Sequence, residues 1–462
     1  MSIFSVGAPP KLDCCDRQVI LDYFHNAWQL EEILLKTLIE DETFYTNPDP
    51  LRNFLIFYLG HSAVFYINKL ICVGLLAARI NPDYEILFEV GVDPETPEEL
   101  LQAISNIKWP PVEQIWHYRS QAHTAITKII QQTPLNLLIE QHQPLWALMM
   151  GIEHQRIHFE TSSMLLRQLP VEKLQRPTEW NYAPSYGSVP PNEMRQILGG
   201  VVQLGKSPED QTYGWDSEYG DRTIEVKPFL ASQYLVTNGE FLEFVEAGGY
   251  TNPEYWSSIA WEWKQNHNVQ HPKFWLPTSQ GYRYRATFDV MDLPLDWPAE
   301  VNYYEAIAFC RWHGSGTRLM QEAEWHLARS RSALVPTDLA INNLVTTNSE
   351  KPNYLADNYN LNLQFISPSP VGMFKVTNSE TGLYDLRGNV WEWIQDTFNP
   401  LDGFQPHPLY PDQAAPFFDN QHQMMLGGSW ATNGSMALPC YRNWFRPYFY
   451  QHVGFRVAQD LD

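Results

Sequence analysis

The chain has 462 residues, 44% hydrophobic and 14% aromatic, enough apolar surface for two or three packed domains. Its 31 Lys and Arg stand against 53 Asp and Glu, a formal charge of −22, which argues against non-specific binding to nucleic acid or anionic membranes and points to small-molecule partners. Five cysteines (Cys14, Cys15, Cys72, Cys310, Cys440) without C-x-x-C spacing argue against a disulfide scaffold and a thiolate metal cluster. With an N-terminus lacking a basic start and an apolar core, they predict a cytoplasmic protein.

Residues 1–168 read as a helical bundle. LDYFHNAWQLEEILLKTLI repeats apolar residues at helical spacing, and PLRNFLIFYLGHSAVFYINKLICVGLLA reads as a largely buried helix with a bend at Gly60. This apolar stretch is interrupted by Arg52, Asn53, His61, Asn68 and Lys69, so no membrane span is expected. Further helices are predicted from about Val112 to Gln132 and from Pro144, a residue suited to a first helical turn, to Gln168. Four long helices imply an up-and-down bundle, with Asn81 to Trp109 as a long crossover.

Residues 169–194 carry prolines at 170, 177, 184, 190 and 191 and read as a linker. From 195 to 462 the pattern changes to short strands, turn residues and abundant Trp and Tyr, with isolated helices such as NYYEAIAFCRWHG, an irregular α+β domain.

Candidate chemistry lies in MGIEHQRIHFE. His154 and His158 share one helix face a turn apart, which permits but does not prove a metal site. A lone H-x-x-x-H pair is more often ordinary helix surface or core than a ligand pair. Gln155 after His154 removes the general base of a zinc-protease motif. A third ligand is required, and His61, seated in an apolar run where an unpartnered imidazole is costly, is a candidate on equal terms with a core histidine bonded to a carbonyl. Glu160 lies roughly 200° around the helix from His158 and receives at most a supporting role. His25, His117, His123 and His142 have no spacing that singles them out. Three imidazoles suit zinc or iron, and ligand type alone does not choose.

The blocks GTRLMQEAEWHLA, GLYDLRGNVWEW, MLGGSW and VGFRVA resemble the formylglycine-generating-enzyme, or sulfatase-modifying-factor, fold, a C-type-lectin-like α+β domain. The helical half resembles DinB-like four-helix bundles. Joined in this order, the halves resemble the non-haem iron sulfoxide synthases of thiohistidine biosynthesis, which join a cysteine-type thiol to a histidine-type imidazole using O2. DPLRNFLIFYLGHSAVFYINKL, RINPDYEILFEVGVD, GIEHQRIHFETSSMLLRQLP, QLGKSPEDQTYGWDSEYG and DGFQPHPLY are similar to the ovothiol branch, whose product is 5-histidylcysteine sulfoxide. PCYRNWFRP reads partly like the ergothioneine branch, whose acceptor is hercynine.

The resemblance implies Fe(2+) held by His61, His154 and His158, and Tyr410 as the catalytic proton or hydrogen donor. Arginine binds carboxylates bidentately, so Arg442, Arg446 and Arg79 are candidate substrate-binding residues, each equally suited to a structural ion pair. Asn443 is a further candidate for the substrate's amine or carboxylate. The expected substrates are histidine or hercynine, cysteine or γ-glutamylcysteine, and O2. The chain ends at QDLD without a G-x-G-x-x-G segment, so a separate methyltransferase is expected to act on the product. With a single cysteine near GGSW, the copper dithiolate of true formylglycine-generating enzymes is not expected. A related selenium-transferring enzyme, a zinc-dependent thiol transferase and a non-catalytic ligand-binding protein are the alternatives.

Overall fold

A computed structural model describes residues 7–89, 91, 94, 96–314, 316–330, 344–346, 359–374 and 381–461. Val90, Val92 and Asp93 of the block RINPDYEILFEVGVD lie outside the described residues. The chain divides into two compact units: residues 1–179 with 211–213 and 287–289, and the remainder.

The first unit is helical. α1 (Arg17–Leu35) starts at Asp16, whose side chain accepts from the Val19 amide and so satisfies one of the unpaired first-turn donors. α2 (Leu55–Cys72) is shorter than its apolar run. Before it, the Asp49 carboxylate accepts from the Leu51 amide in a local turn, and after it Gly74 takes a φ of 74°, which stops the helix. α2 is continuous through Gly60, where a bend was expected.

The segment expected as a crossover holds two short helices, α3 (Pro82–Leu87), capped by Asn81, and α4 (Pro97–Ile104), capped by Thr96. α5 (Val112–Gln132) and α6 (Pro144–Arg167) follow the helical pattern of the sequence. α1 and α2 each pack against both α5 and α6, so the order around the bundle is α1-α6-α2-α5 and not the chain order of an up-and-down bundle. By length and composition α2 could cross a membrane, yet 83% of it is buried inside the unit, as in a core helix.

The proline-rich segment 169–194 is shared between the units. The Gln175 amide donates to Thr37 O at 2.8 Å in the first. From Trp180 onward it belongs to the second, where Trp297 Nε1 donates to Pro184 O at 2.8 Å and the Ala183 amide to Ser367 Oγ at 3.0 Å.

The second unit is built on short strands. One sheet orders Met194–Ile197, Phe229–Ser232, Val457–Asp460 and Arg318–Leu319; another orders Asn443–Phe445, Gln423–Leu426, Trp391–Thr397 and Val453–Gly454. Two three-stranded sheets complete it among the described residues. The core joins Trp325 and Leu327 of the helix Glu322–Ser330 to Ile394, Phe398, Met424 and Leu426. GNVWEW and GGSW are scaffold here. Trp393 Nε1 donates to Val301 O at 3.0 Å, and Gly427 takes a φ of 99° where a Cβ would stand 3.0 Å from Leu386 O. Arg456 of GFRVA is buried, pairing with Glu392 at 3.1 Å and donating to the carbonyl of Ser232 at 2.7 Å. The fold class is α+β, with a helical unit first in which α1, α2, α5 and α6 are the long helices.

Candidate metal centre

His61 lies mid-way along α2, and His154 and His158 lie one turn apart on α6, the helix packed against it. The three rings converge: centroids are 5.0 Å apart for His61 and His154, 4.5 Å for His61 and His158, and 4.4 Å for His154 and His158. One nitrogen from each lies within 4.8 Å of the others. His61 and His154 are buried, and His158 is partly exposed at the edge of the cluster.

The surroundings fix these rings. His61 Nδ1 lies 2.6 Å from Phe88 O, an acceptor only, so Nδ1 carries the hydrogen and Nε2 keeps its lone pair. Phe57 stacks on His61 with centroids 4.7 Å apart, and Phe65 lies nearly parallel to His154 at 3.6 Å. His158 Nδ1 has no hydrogen-bond partner among the described residues, an expensive condition for a buried donor or acceptor unless something else occupies it. Burial lowers the His61 imidazolium to about 4, and burial reinforced by the neighbouring rings holds His154 and His158 well below the usual histidine range. All three are therefore neutral near pH 7, the form that binds a metal.

Close packing holds α2 and α6 together around the cluster. At Gly151 a Cβ would stand 2.3 Å from the Tyr66 ring, and the Tyr66 hydroxyl donates to Gln155 Oε1 at 2.9 Å. Gln155 Nε2 donates in turn to Glu31 Oε2 at 2.7 Å. Glu31, from α1, also accepts from Ser62 of α2 and pairs with Arg119 of α5 at 2.9 Å, both of its partners' helices being tied at the level of the histidines. The Arg119 guanidinium further donates to Leu59 O at 2.9 Å. Gln155, read in the sequence only as a missing base, is thus a structural bridge next to His154.

Gly60 is explained by the same site, since a Cβ there would lie 2.6 Å from Cγ of Phe88, the residue whose carbonyl holds His61. Gly60→Ala is therefore expected to cost about 1–3 kcal/mol by overpacking and to weaken metal binding by about 10-fold or more through a displaced carbonyl. Thermal unfolding and a metal titration of the variant measure both; a variant with wild-type metal affinity would show that the Phe88 carbonyl is not needed.

The other histidines lie elsewhere. His25 and His123 stack on each other with centroids 5.1 Å apart, and His142 pairs with Glu140 at 3.8 Å. His117 lines a groove of about 450 Å³ with Asn81, Tyr84 and Gln114. Glu160 is buried but outside the convergent group.

The remaining predicted residues are spread over both units. In the first, Arg79 is half-exposed and donates to Asn68 Oδ1 at 2.6 Å and to Glu85 at 3.1 Å. In the second, Arg442 makes a two-pronged pair with buried Glu322, 2.7 and 3.1 Å, the ion-pair alternative of the sequence reading. Arg446 donates to Gln421 Oε1 at 3.1 Å, and Asn443 Oδ1 accepts from the Trp444 amide at 3.0 Å.

Tyr410 closes a turn on His407 O at 2.9 Å, with its ring 6.4 Å from that of Trp215. Burial, then the charges of Asp412 and Asp216, push its phenol up to about 12, so it keeps its proton at neutral pH. Asp216, which the sequence reading passed over, accepts from the His407 amide at 3.2 Å, and its other oxygen has no hydrogen-bond partner among the described residues. Burial raises this carboxyl to about 6. The aromatic faces at 57 and 65, four residues either side of His61, were visible in the sequence; the Phe88 carbonyl and Asp216 carried no signal there.

Comparisons with known proteins agree with this architecture. Ergothioneine biosynthesis protein 1 of Neurospora crassa is 28% identical over 96% of this chain and 58% of its own length, and its Schizosaccharomyces pombe namesake is 23% identical over 97% and 57%. Hercynine oxygenase of Mycobacterium tuberculosis is 34% identical over 56% of this chain and 59% of its own. The chain thus spans a little under three fifths of the length of these curated relatives. Residues 182–461 match the model of the sulfatase-modifying factor enzyme 1-like domain, more than half of the chain, and the chain belongs to that family.

Proposed function

We propose that the chain is an iron(II)- and O2-dependent sulfoxide synthase that joins the sulfur of a cysteine-type thiol to the imidazole ring of histidine. The observation that carries this reading is the convergence of His61, His154 and His158 on one point in a helical unit that accompanies a sulfatase-modifying-factor-like domain. Three neutral imidazoles would fit a divalent first-row metal, with His61, His154 and His158 as the residues that would hold it. Iron(II) supplies electrons to dioxygen, which zinc cannot.

The chain's own part in the reaction is positioning and proton supply. His61 is oriented by the Phe88 carbonyl, His154 by its stack on Phe65, and the histidine faces are held by the Tyr66–Gln155–Glu31 chain of hydrogen bonds. Holding thiol and imidazole together replaces a chance encounter with a step between oriented partners. Tyr410, protonated at neutral pH, is the proton donor of this reading. Arg446, Asn443 and Arg79 are the candidate holders of substrate carboxylate and amine, while Arg442 is already engaged by Glu322.

A second reading takes hercynine as the acceptor with cysteine or γ-glutamylcysteine as donor, favoured by the names of the relatives in Neurospora crassa and Mycobacterium tuberculosis. Histidine is preferred on the ovothiol-like blocks of the sequence. The test is an anaerobic iron-loaded assay of all four substrate pairs, started with O2 and read by product mass. A sulfoxide adduct of histidine and cysteine supports the first reading, and one formed only from hercynine supports the second. Zinc-dependent chemistry without oxygen uptake would overturn both.

Tyr410→Phe is expected to bind metal normally and to change either the rate or the division between sulfoxide and simple thiol oxidation by about 10-fold or more. Unchanged product ratios and rate would remove Tyr410 from the mechanism.

A further inference from the structure

Away from the histidine cluster of the first unit, the second unit holds a buried lysine against a buried cysteine. Lys206 follows the strand Gly200–Leu204, and its side chain is fully enclosed. Nζ lies 3.6 Å from Sγ of Cys440, 234 positions away in sequence, and the Cys440 thiol donates to Oε2 of Glu218 at 3.1 Å. Asp210 stands 3.3 Å from Nζ. The lysine stem has one path: at Gly214 a Cβ would lie 2.6 Å from its Cδ, so the glycine leaves room that no side chain could share.

Oxygen acceptors alone would satisfy a structural lysine, and a thiol is among the weakest partners it could have. The group combines a nucleophilic sulfur, an amine at near-contact distance and a carboxylate placed to take the thiol's proton. Burial pushes the thiol up, which keeps it protonated at rest, and raises the Glu218 carboxyl to about 7, so Glu218 is a competent base near neutral pH.

We propose that Lys206 and Cys440 form a covalent nitrogen–oxygen–sulfur cross-link when the protein is exposed to dioxygen or peroxide, with Glu218 as the acceptor of the thiol proton. The N–O and O–S bonds form and the S–H and one N–H bond break. One atom of dioxygen becomes the bridge and the other leaves as water. Sulfur and nitrogen are each oxidised by two electrons, and dioxygen takes all four; two molecules of peroxide do the same and leave three waters. The extra proton of the lysine ammonium passes to solvent by way of Asp210. This site is independent of the metal-centre reading, and its failure leaves that reading untouched.

The test is mass spectrometry of the purified full-length chain before and after graded hydrogen peroxide, digested without reductant. The expected result is a gain of about 14 Da, one oxygen added and two hydrogens lost, on a cross-linked pair of peptides containing Lys206 and Cys440, reversed by dithiothreitol. Trypsin should fail to cut at Lys206 in the same sample. Lys206→Met and Cys440→Ser should each abolish the cross-linked pair. Gains of about 16 or 32 Da on the Cys440 peptide alone, with Lys206 still cleaved, would be simple sulfur oxidation and would overturn the proposal. An unmodified Cys440 in peroxide that oxidises exposed Cys14 and Cys72 would overturn it as well. The wild-type measurement decides the matter even where a variant fails to fold.

Discussion

His154→Ala and His158→Ala are each expected to abolish product formation and to weaken iron binding by more than about 100-fold, beyond the usual cost of losing a residue that merely supports a ligand. The reason is geometric. With two of three imidazoles left, the remaining nitrogens no longer surround a common point, and the site would lose one of the three donors that could hold the metal. Folding should survive, because the truncated side chain is a buried polar group at His154 and a partly exposed one at His158, and the packing of α2 on α6 rests on Gly151, Tyr66 and Gln155. The check is iron content after anaerobic reconstitution together with helical circular dichroism. A folded variant that still binds one equivalent of iron would sink the ligand assignment. A companion substitution, Gln155→Glu, restores the H-E-x-x-H pattern and should not create hydrolase activity, since that side chain is engaged with Tyr66 and Glu31.

Glu31→Leu is expected to be the most destabilising single change in the first unit. Glu31 is fully buried and joins Arg119, Ser62 and Gln155, residues of three other helices. Its loss leaves the fully buried Arg119 guanidinium without its charge partner, a situation that costs about 3–5 kcal/mol. The double variant Glu31→Leu with Arg119→Leu should recover most of that loss, because two apolar groups in place of a buried pair are often nearly neutral. Urea unfolding followed by helical circular dichroism gives both values. A single variant with the wild-type midpoint would show that the pair contributes nothing. Iron affinity gives a second readout, expected to fall by about 10-fold as Ser62 and Gln155, the neighbours of His61 and His154, lose their common anchor.

Helical periodicity located α1, α2, α5 and α6 to within a few residues of their observed bounds, because one buried stripe per helix is a local signal. α2 was read too long at both ends, since apolar residues continue beyond the points where Asp49 and Gly74 stop the helix. The order of the helices around the bundle was not legible, as it depends on which apolar faces meet. The pairing of Arg442 with Glu322, 120 positions apart, escaped for the same reason.

The sequence alone determined the helical half, the short-stranded aromatic half, the resemblance that names their family, and the shared helix face of His154 and His158. Only tertiary structure decided that His61 meets that face, that a backbone carbonyl at Phe88 orients it, and that Glu31 links the helices behind it. Residues a few positions apart on one element have their geometry fixed by helical repeat, whereas residues far apart in sequence acquire theirs from packing that periodicity does not encode.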